Sequence, residues 1–290
     1  MSSLIGLDIG GTALKAVKLG EKNISARVTI PAGGEICREE LARRIAKCVR
    51  SLSEDGPPRG VGLCFGGLLQ ADGTMRAGST NLSNLDGIRL KEYFTQLLGS
   101  PCKIENDAIA AMRGEVTFGA AKGLKNAMTM TFGSGIGSGL LLNGRVHEGT
   151  HGRAGEIGVW RLAGFAEGGN SVTLEDIAAP VRFFRHRGAQ LGEVLRMAIQ
   201  DEDAWIEGRN AIDAIGRAIA NAHLLLDLET VILTGGITAL GDTFLNPIRA
   251  AYEAACPIEY RQGLNIRIGE LGSYAGAVGA AALWLEDREA

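Results

Sequence analysis

Three apolar runs in this sequence stop at glycine: LIGLDI before Gly10-Gly11-Thr12, MTMTF before the Gly133 to Gly139 run, and TVILT before Gly235-Gly236. A β-rich run that ends in glycine either turns tightly or comes close to a ligand, because glycine adopts such backbone without steric cost. The first two turns lead straight into another apolar run, so each opens a strand-turn-strand unit. Set side by side, LDIGGT and MTFGSG place Asp8 opposite Thr131 and Gly10 opposite Gly133. This weak internal repeat predicts two related halves, each with a turn whose backbone N–H groups could cradle a phosphate. A hairpin without any ligand would satisfy each turn taken singly.

The rest of the chain alternates strand and helix patterns. After LIGLDI and LKAVKL comes NISARVTI, then a helical stretch from about Glu35 to Ser53, the apolar run VGLCFGGLL, a helix near Leu90 to Leu98 and the strand PCKIEN. In the second half, Ile212, Ile215, Ile219, Ala222 and Leu226 follow one another at alternating spacings of three and four, the apolar face of a long helix. TVILTGG, the strand LNIRIGE and a small-residue helix from Tyr274 to Glu286 complete the pattern. Asn143-Gly144 marks a further hairpin. Such alternation implies an α/β fold with a largely parallel sheet.

Composition narrows the class of function. With 46% hydrophobic and 22% charged residues in 290, the chain buries a substantial core, and a net charge of -3 gives no global reason to expect nucleic acid or an anionic membrane as partner. No apolar run approaches the roughly 18 residues of a membrane span, and the N-terminus lacks a signal-peptide pattern, so a cytoplasmic protein is expected. Five scattered cysteines, never as CxxC, read as core thiols. No GxxxxGK[ST] occurs, and Ser138 breaks GSGIGSG as a G-x-G-x-x-G, which disfavours both a P-loop protein and a dinucleotide oxidoreductase.

Glu105-Asn106-Asp107 closes an apolar approach and opens a small-residue helix. Asn and Asp are favoured helix N-caps, while a carboxylate at a strand end in an open α/β sheet is also where a general base commonly sits. The tripeptide alone leaves both readings open.

DIGGTALK (residues 8–15), ENDA (105–108), TFGSGIGSGLLLNG (131–144), AGEIG (154–158) and LTGG (233–236) occur in the order and spacing of the ROK family, and the resemblance covers nearly the whole chain. That family holds bacterial sugar kinases and related sugar-sensing repressors of the actin-like ATPase superfamily. The resemblance implies a two-lobed, actin-like (ribonuclease H-like) fold with ATP, Mg²⁺ and a hexose in a cleft between lobes. Residues 1–107, completed by a helix over 275–290, would form one lobe and 108–274 the other. Asp107 would be the general base that deprotonates the attacking hydroxyl. Asn106, Glu156, Glu175 of TLED and Asn81 of STNLSNL would hold the sugar. Asp8 would lie near Mg²⁺, and Gly10, Gly11, Thr12, Lys15, Thr131, Gly133 and Gly135 near the phosphates, with Gly235 and Gly236 flanking the adenosine. From the residues alone, Glu156 could be a solvated loop acid, Glu175 a first-turn helix acid and Lys15 a solvated strand lysine.

The sequence departs from the family at its GExGH and CxCGxxGCxE segments. Val159 stands at the histidine position, and Ala166, Gly168 and Thr173 stand where the cysteines would be, so no structural zinc is expected. The missing histidine removes one sugar contact; His147 and His151 lie close in sequence as candidates to replace it. The expected function is ATP- and Mg-dependent phosphorylation of a hexose or related sugar. A non-catalytic sugar-binding regulator and a polyphosphate-dependent sugar kinase are the alternatives. The DNA-binding repressor of the family is disfavoured, because the first strand starts by about Leu4 and leaves no room for a helix-turn-helix. A homodimer is common in the family, and neither nucleic acid nor membrane is expected as partner.

Overall fold

The computed structural model describes residues 3–11, 13–20, 23–31, 37–53, 56–70, 72–78, 82–163, 171–180 and 202–285. The chain forms two compact units. One comprises Met1–Lys122, Val146–Ala154 and Ser273–Ala290, the other Gly123–Arg145 and Gly155–Gly272.

The first unit is built on β1 (Leu4–Ile9), β2 (Ala13–Leu19), β3 (Ile24–Pro31), α1 (Arg38–Leu52), β4 (Gly60–Phe65), β5 (Gly67–Leu69), β6 (Met75–Gly78), α2 (Leu90–Leu98), β7 (Cys102–Asn106) and α3 (Asp107–Phe118). Its main sheet runs β3-β2-β1-β4-β7. β4 is buried along its whole length and β1 everywhere but at Asp8, as central strands covered on both faces require, whereas β3 alternates half-buried and exposed residues. Helix α1 buries Leu41, Ile45, Cys48, Val49 and Leu52, one apolar stripe at helical spacing.

The second unit contains β8 (Ala127–Phe132), β9 (Ile136–Leu142), β10 (Arg145–His147), the short pair β11 (Arg161–Leu162) and β12 (Val172–Thr173), α4 (Leu174–Ala178), α5 (Glu202–Leu226), β13 (Thr230–Gly235), α6 (Asp242–Ala255) and β14 (Asn265–Ile268). Its sheet order, β10-β9-β8-β13-β14, repeats that of the first. Both sheets combine an antiparallel hairpin, β1 with β2 and β8 with β9, with three parallel strands. Each sheet is therefore mixed rather than largely parallel, since the glycine-turn hairpin is part of it. Asp8 and Thr131 are each the fifth residue of their strand, so the repeat read from the sequence is a repeat of topology.

Two elements differ from expectation. VGLCFGGLL is two strands, broken where Gly67 takes a φ of +121°, a left-handed conformation that ends the pleat and starts the β5–β6 hairpin. The last helix, α7 (Ala275–Ala282), stops short of Glu286 and runs into a turn. Every residue of α7 is buried, against α3, β1 and β4. Its AGAVGAAA sequence is what allows that approach: a Cβ at Gly6 or Gly62 would collide with the carbonyl oxygens of Ala277 and Ala280, and one at Gly279 with that of Ala110. Among the described residues no helix is long and apolar enough to cross a membrane.

Candidate active site

The junction of β7 and α3 answers the question posed by Glu105-Asn106-Asp107. Asn106 is the N-cap: its Oδ1 accepts from the N–H groups of Ala108 (2.9 Å) and Ile109 (3.2 Å), and its Nδ2 donates to the Gly67 carbonyl at 3.3 Å. Among the described residues these contacts use three of the four hydrogen bonds an amide can make. Asp107 is the first residue of the helix, half-buried, with Oδ1 accepting from Ala108 N–H at 2.9 Å. A carboxylate here is favoured by the helix dipole.

Glu105 takes a third role. It is 6% exposed and faces the 5% exposed Arg113 of α3 in a two-pronged ion pair, Nε to Oε2 at 3.0 Å and Nη2 to Oε1 at 2.6 Å. Arg113 Nη2 also donates to Glu148 Oε1 at 3.1 Å, tying the Val146–Ala154 segment to the same junction. Sequence reasoning missed this clasp; its one signal was a lone arginine in the otherwise small and apolar AIAAMRG.

Asp8 lies at the end of β1, opposite Lys15 of β2 and Cys64 of β4 in register. Its pKa is raised from 3.8 to about 7, chiefly because burial disfavours the charged form; nearby Asp107 adds to the rise, while Lys15 and a hydrogen bond from Cys64 oppose it. Asp8 and Asp107 thus sense each other. A dication beside Asp8 would favour its charged form. The hairpin turn beside them is closed by Gly10 N–H donating to Ala13 O at 3.1 Å, so that N–H is engaged within the turn. Gly11 is buried, and Thr12 lies outside the described residues, as does Asn81.

In the second unit the equivalent turn is closed one residue tighter, Gly133 N–H to Gly135 O at 3.1 Å, and a Cβ at Gly133 would meet open space. Thr131 is half-buried near the end of β8, paired with Gly137 and Thr234. Glu175 is in the first turn of α4, yet its Oε1 accepts from Ile136 N–H at 2.7 Å, and side chains at Gly135 or Gly158 would run into it. It therefore joins the glycine turn, AGEIG and TLED into one assembly. Ser138, which broke the dinucleotide motif, is buried and donates to Gly155 O at 2.6 Å, holding AGEIG against β9. Glu156 follows as an exposed residue at the start of a short 3-10 turn. Gly235, with a φ of +105°, packs on the Phe132 backbone, and Gly236 is open.

Val159, at the position of the family histidine, is 60% exposed. Thr173 spends its hydroxyl in a capping box with Asp176 at the start of α4. Ala166 and Gly168 lie outside the described residues. Of the two histidines near this segment, His147 ends β10 and His151 is exposed on the Val146–Ala154 segment.

The model of the ROK family matches residues 4–287. The chain belongs to the ROK family. It is 29% identical to a glucokinase of Halalkalibacterium halodurans over 97% of this chain and 94% of that one, and 30% identical to a glucokinase of Streptomyces coelicolor over 98% of each. Among solved structures, a ROK family glucokinase from Streptomyces griseus, crystallised with glucose and AMPPNP, superposes with a TM-score of 0.85 at 26% identity, covering 97% of this chain and 99% of that one. The fold of this ROK protein is accordingly the two-lobed, actin-like ATPase fold of that family.

Proposed function

We infer that this chain transfers the terminal phosphoryl group of ATP, with Mg²⁺, to a hydroxyl of a hexose or related sugar, with Asp107 as general base. That it is a sugar kinase rests on its family and on glucokinase relatives that align end to end with it. The observation that carries the finer reading is the division of labour at the β7–α3 junction. Asn106 caps the helix, so the neighbouring carboxylate of Asp107 is not needed for that task, and it stands within electrostatic reach of Asp8.

Phosphoryl transfer asks a protein mainly for positioning and charge neutralisation. Asp107 would accept the hydroxyl proton, which sharpens the nucleophile without a covalent intermediate. The remaining N–H of Asn106, with Glu156, Glu175 and Asn81, would orient the sugar. Glu175 commits one oxygen to Ile136 N–H and so would fix its other oxygen toward a ligand. Asp8 would lie beside Mg²⁺ carried by the nucleotide, which when bound neutralises charge on the phosphates, leaving Asp107 to take the proton. The turns at Gly10-Gly11-Thr12 and Gly133–Gly135, with Lys15 and Thr131, would receive the phosphates, and Gly235-Gly236 the adenosine. Such a reaction belongs in the cytoplasm, where ATP is made.

One observation favours a second reading, a non-catalytic sugar-binding regulator: exposed Val159 supplies no hydrogen bond where the family has a histidine. A coupled ADP-release assay with Mg-ATP and a panel of hexoses, amino sugars and sugar acids tests both, with Asp107→Asn beside the parent and binding followed by calorimetry. The kinase reading expects sugar-dependent turnover that the variant loses while still binding sugar. Sugar binding without turnover, with ATP or with polyphosphate as donor, would establish the regulator instead.

A further inference from the structure

A recess of about 350 Å³ in the first unit is lined by Gln70, Arg76, His151 and Arg153. Its two walls are separate pieces of chain. Gln70 and Arg76 come from the β5–β6 hairpin, and His151 and Arg153 from the Val146–Ala154 segment. That segment is a closed loop: Ala154 N–H donates to Glu148 O at 3.0 Å, and Gly149 and Gly152 have φ of +74° and +66°, so His151 and Arg153 project from a defined turn.

Both walls are anchored to the β7–α3 junction. The hairpin is held where Asn106 Nδ2 donates to Gly67 O at 3.3 Å, and the loop where Glu148 meets Arg113 at 3.1 Å. Each wall is thereby tied, one through Gly67 and the other through Glu148, to the strand–helix element that carries Asn106 and Asp107. Its lining holds two guanidinium groups, which only donate and carry charge at any accessible pH, beside an amide and an imidazole that can each donate as well. Among the described residues, Arg76, His151 and Arg153 have no hydrogen-bond or ion-pair partner. The acids on and beside these pieces of chain are already engaged: Asp72 of the hairpin accepts from Thr74 N–H, Asp86 from the hairpin's Gly78 N–H, and Glu148 of the loop from Arg113. In a chain of net charge -3, two unpaired arginines on opposite walls of one recess are a site for an anion.

We propose that this recess binds an anionic group of the sugar acceptor, a carboxylate or phosphate ester, so that the substrate is an acidic sugar rather than a neutral hexose. The proposal rests on the kinase reading for its substrate role. It also fits Val159, since a guanidinium–anion contact supplies orientation that the absent histidine does not.

The test compares kcat/KM for glucose, galactose and mannose with that for glucuronate, galacturonate, gluconate and glucose 6-phosphate, in the parent, Arg76→Met, Arg153→Met and the double variant. Both arginines are exposed, so the variants are expected to fold; thermal unfolding checks this. Calorimetric titration of the same acidic sugars, and of inorganic phosphate alone, reads binding independently of turnover. The expected result is at least a tenfold preference for an acidic sugar, lowered about tenfold or more by each single variant through KM, with neutral sugars unaffected. Preference for a neutral hexose, unchanged in the variants and without acidic-sugar binding, would overturn the proposal while leaving the kinase reading intact. Acidic-sugar binding that the double variant loses, with no turnover of any sugar, would uphold the anion site and sink the kinase reading. Phosphate binding at the arginines with acidic-sugar kinetics unchanged in the variants would refute the substrate assignment.

Discussion

Replacing Arg113 by Met should destabilise this protein far more than its single position suggests. The side chain is 5% exposed and holds a Glu105 that is 6% exposed. Removing one partner of a buried, hydrogen-bonded ion pair strands the other charge and costs about 3–5 kcal/mol, a large part of the roughly 5–15 kcal/mol that holds a native protein together. The stranded Glu105 would also sit among acids: burial pushes the Cys64 thiol pKa up, and Asp8, Asp107 and Glu105 all add to that rise. The contact with Glu148, which is 55% exposed, contributes at most about 1 kcal/mol, so Glu148→Gln should be nearly silent. Combining Arg113→Met with Glu105→Leu should recover most of the loss, because two well-packed apolar groups replace the pair without leaving a charge. Urea unfolding at neutral pH, followed by fluorescence and circular dichroism, measures the parent, Arg113→Met, Glu105→Leu, the double variant and Glu148→Gln. In Arg113→Met the unpaired Glu105 has its folded pKa raised, so its penalty is absent below the unfolded carboxylate pKa and grows as pH rises. If Arg113→Met costs under about 1 kcal/mol, or the double variant loses the full sum of the singles, the clasp does not hold this junction.

Asp107→Asn should lower kcat by about 10²–10⁴-fold, the usual contribution of a general base, with sugar affinity by calorimetry changed only a few-fold; unaltered turnover would exclude Asp107 as the base. Asp8, raised from 3.8 to about 7, makes ligand-free protein lose stability as pH climbs between those values, because the unfolded chain gives up a proton that the folded one still holds. The melting temperature of ligand-free Asp8→Asn should therefore gain on the parent from pH 4.5 to 7.5, and a gap independent of pH would contradict the raised pKa. Gly62→Ala would drive a Cβ into the Ala280 carbonyl of α7, a backbone neighbour that cannot swing aside. Overpacking costs typically about 1–3 kcal/mol, so the variant should melt several degrees lower, and an unchanged melting temperature would refute the close packing of α7 on β4.

The topology was legible because its signals are local. Strand runs, glycine turns and the three-four spacing of α5 each concern neighbours along the chain, and the repeat of LDIGGT by MTFGSG located Asp8 and Thr131 at equivalent strand positions. The break at Gly67 was not legible, since GG inside an apolar run is compatible with a continuous strand until the φ of +121° is known. Nor could the tripeptide alone say which residue caps α3; both Asn106 and Asp107 have the chemistry, and backbone geometry at the helix start selected Asn106.

What the sequence by itself determined is the inventory: an α/β chain, two related halves, the ordered ROK motifs and the residues available for sugar and phosphate. Tertiary structure decided which of those residues are engaged and by whom. Arg113 reaches Glu148 across 35 residues and Glu175 reaches Ile136 across 39, while two chain segments bring Arg76 and Arg153 to one recess. No period or turn rule acts over such separations. Buried charge must find a partner wherever the fold supplies one, and only the folded chain specifies where that is.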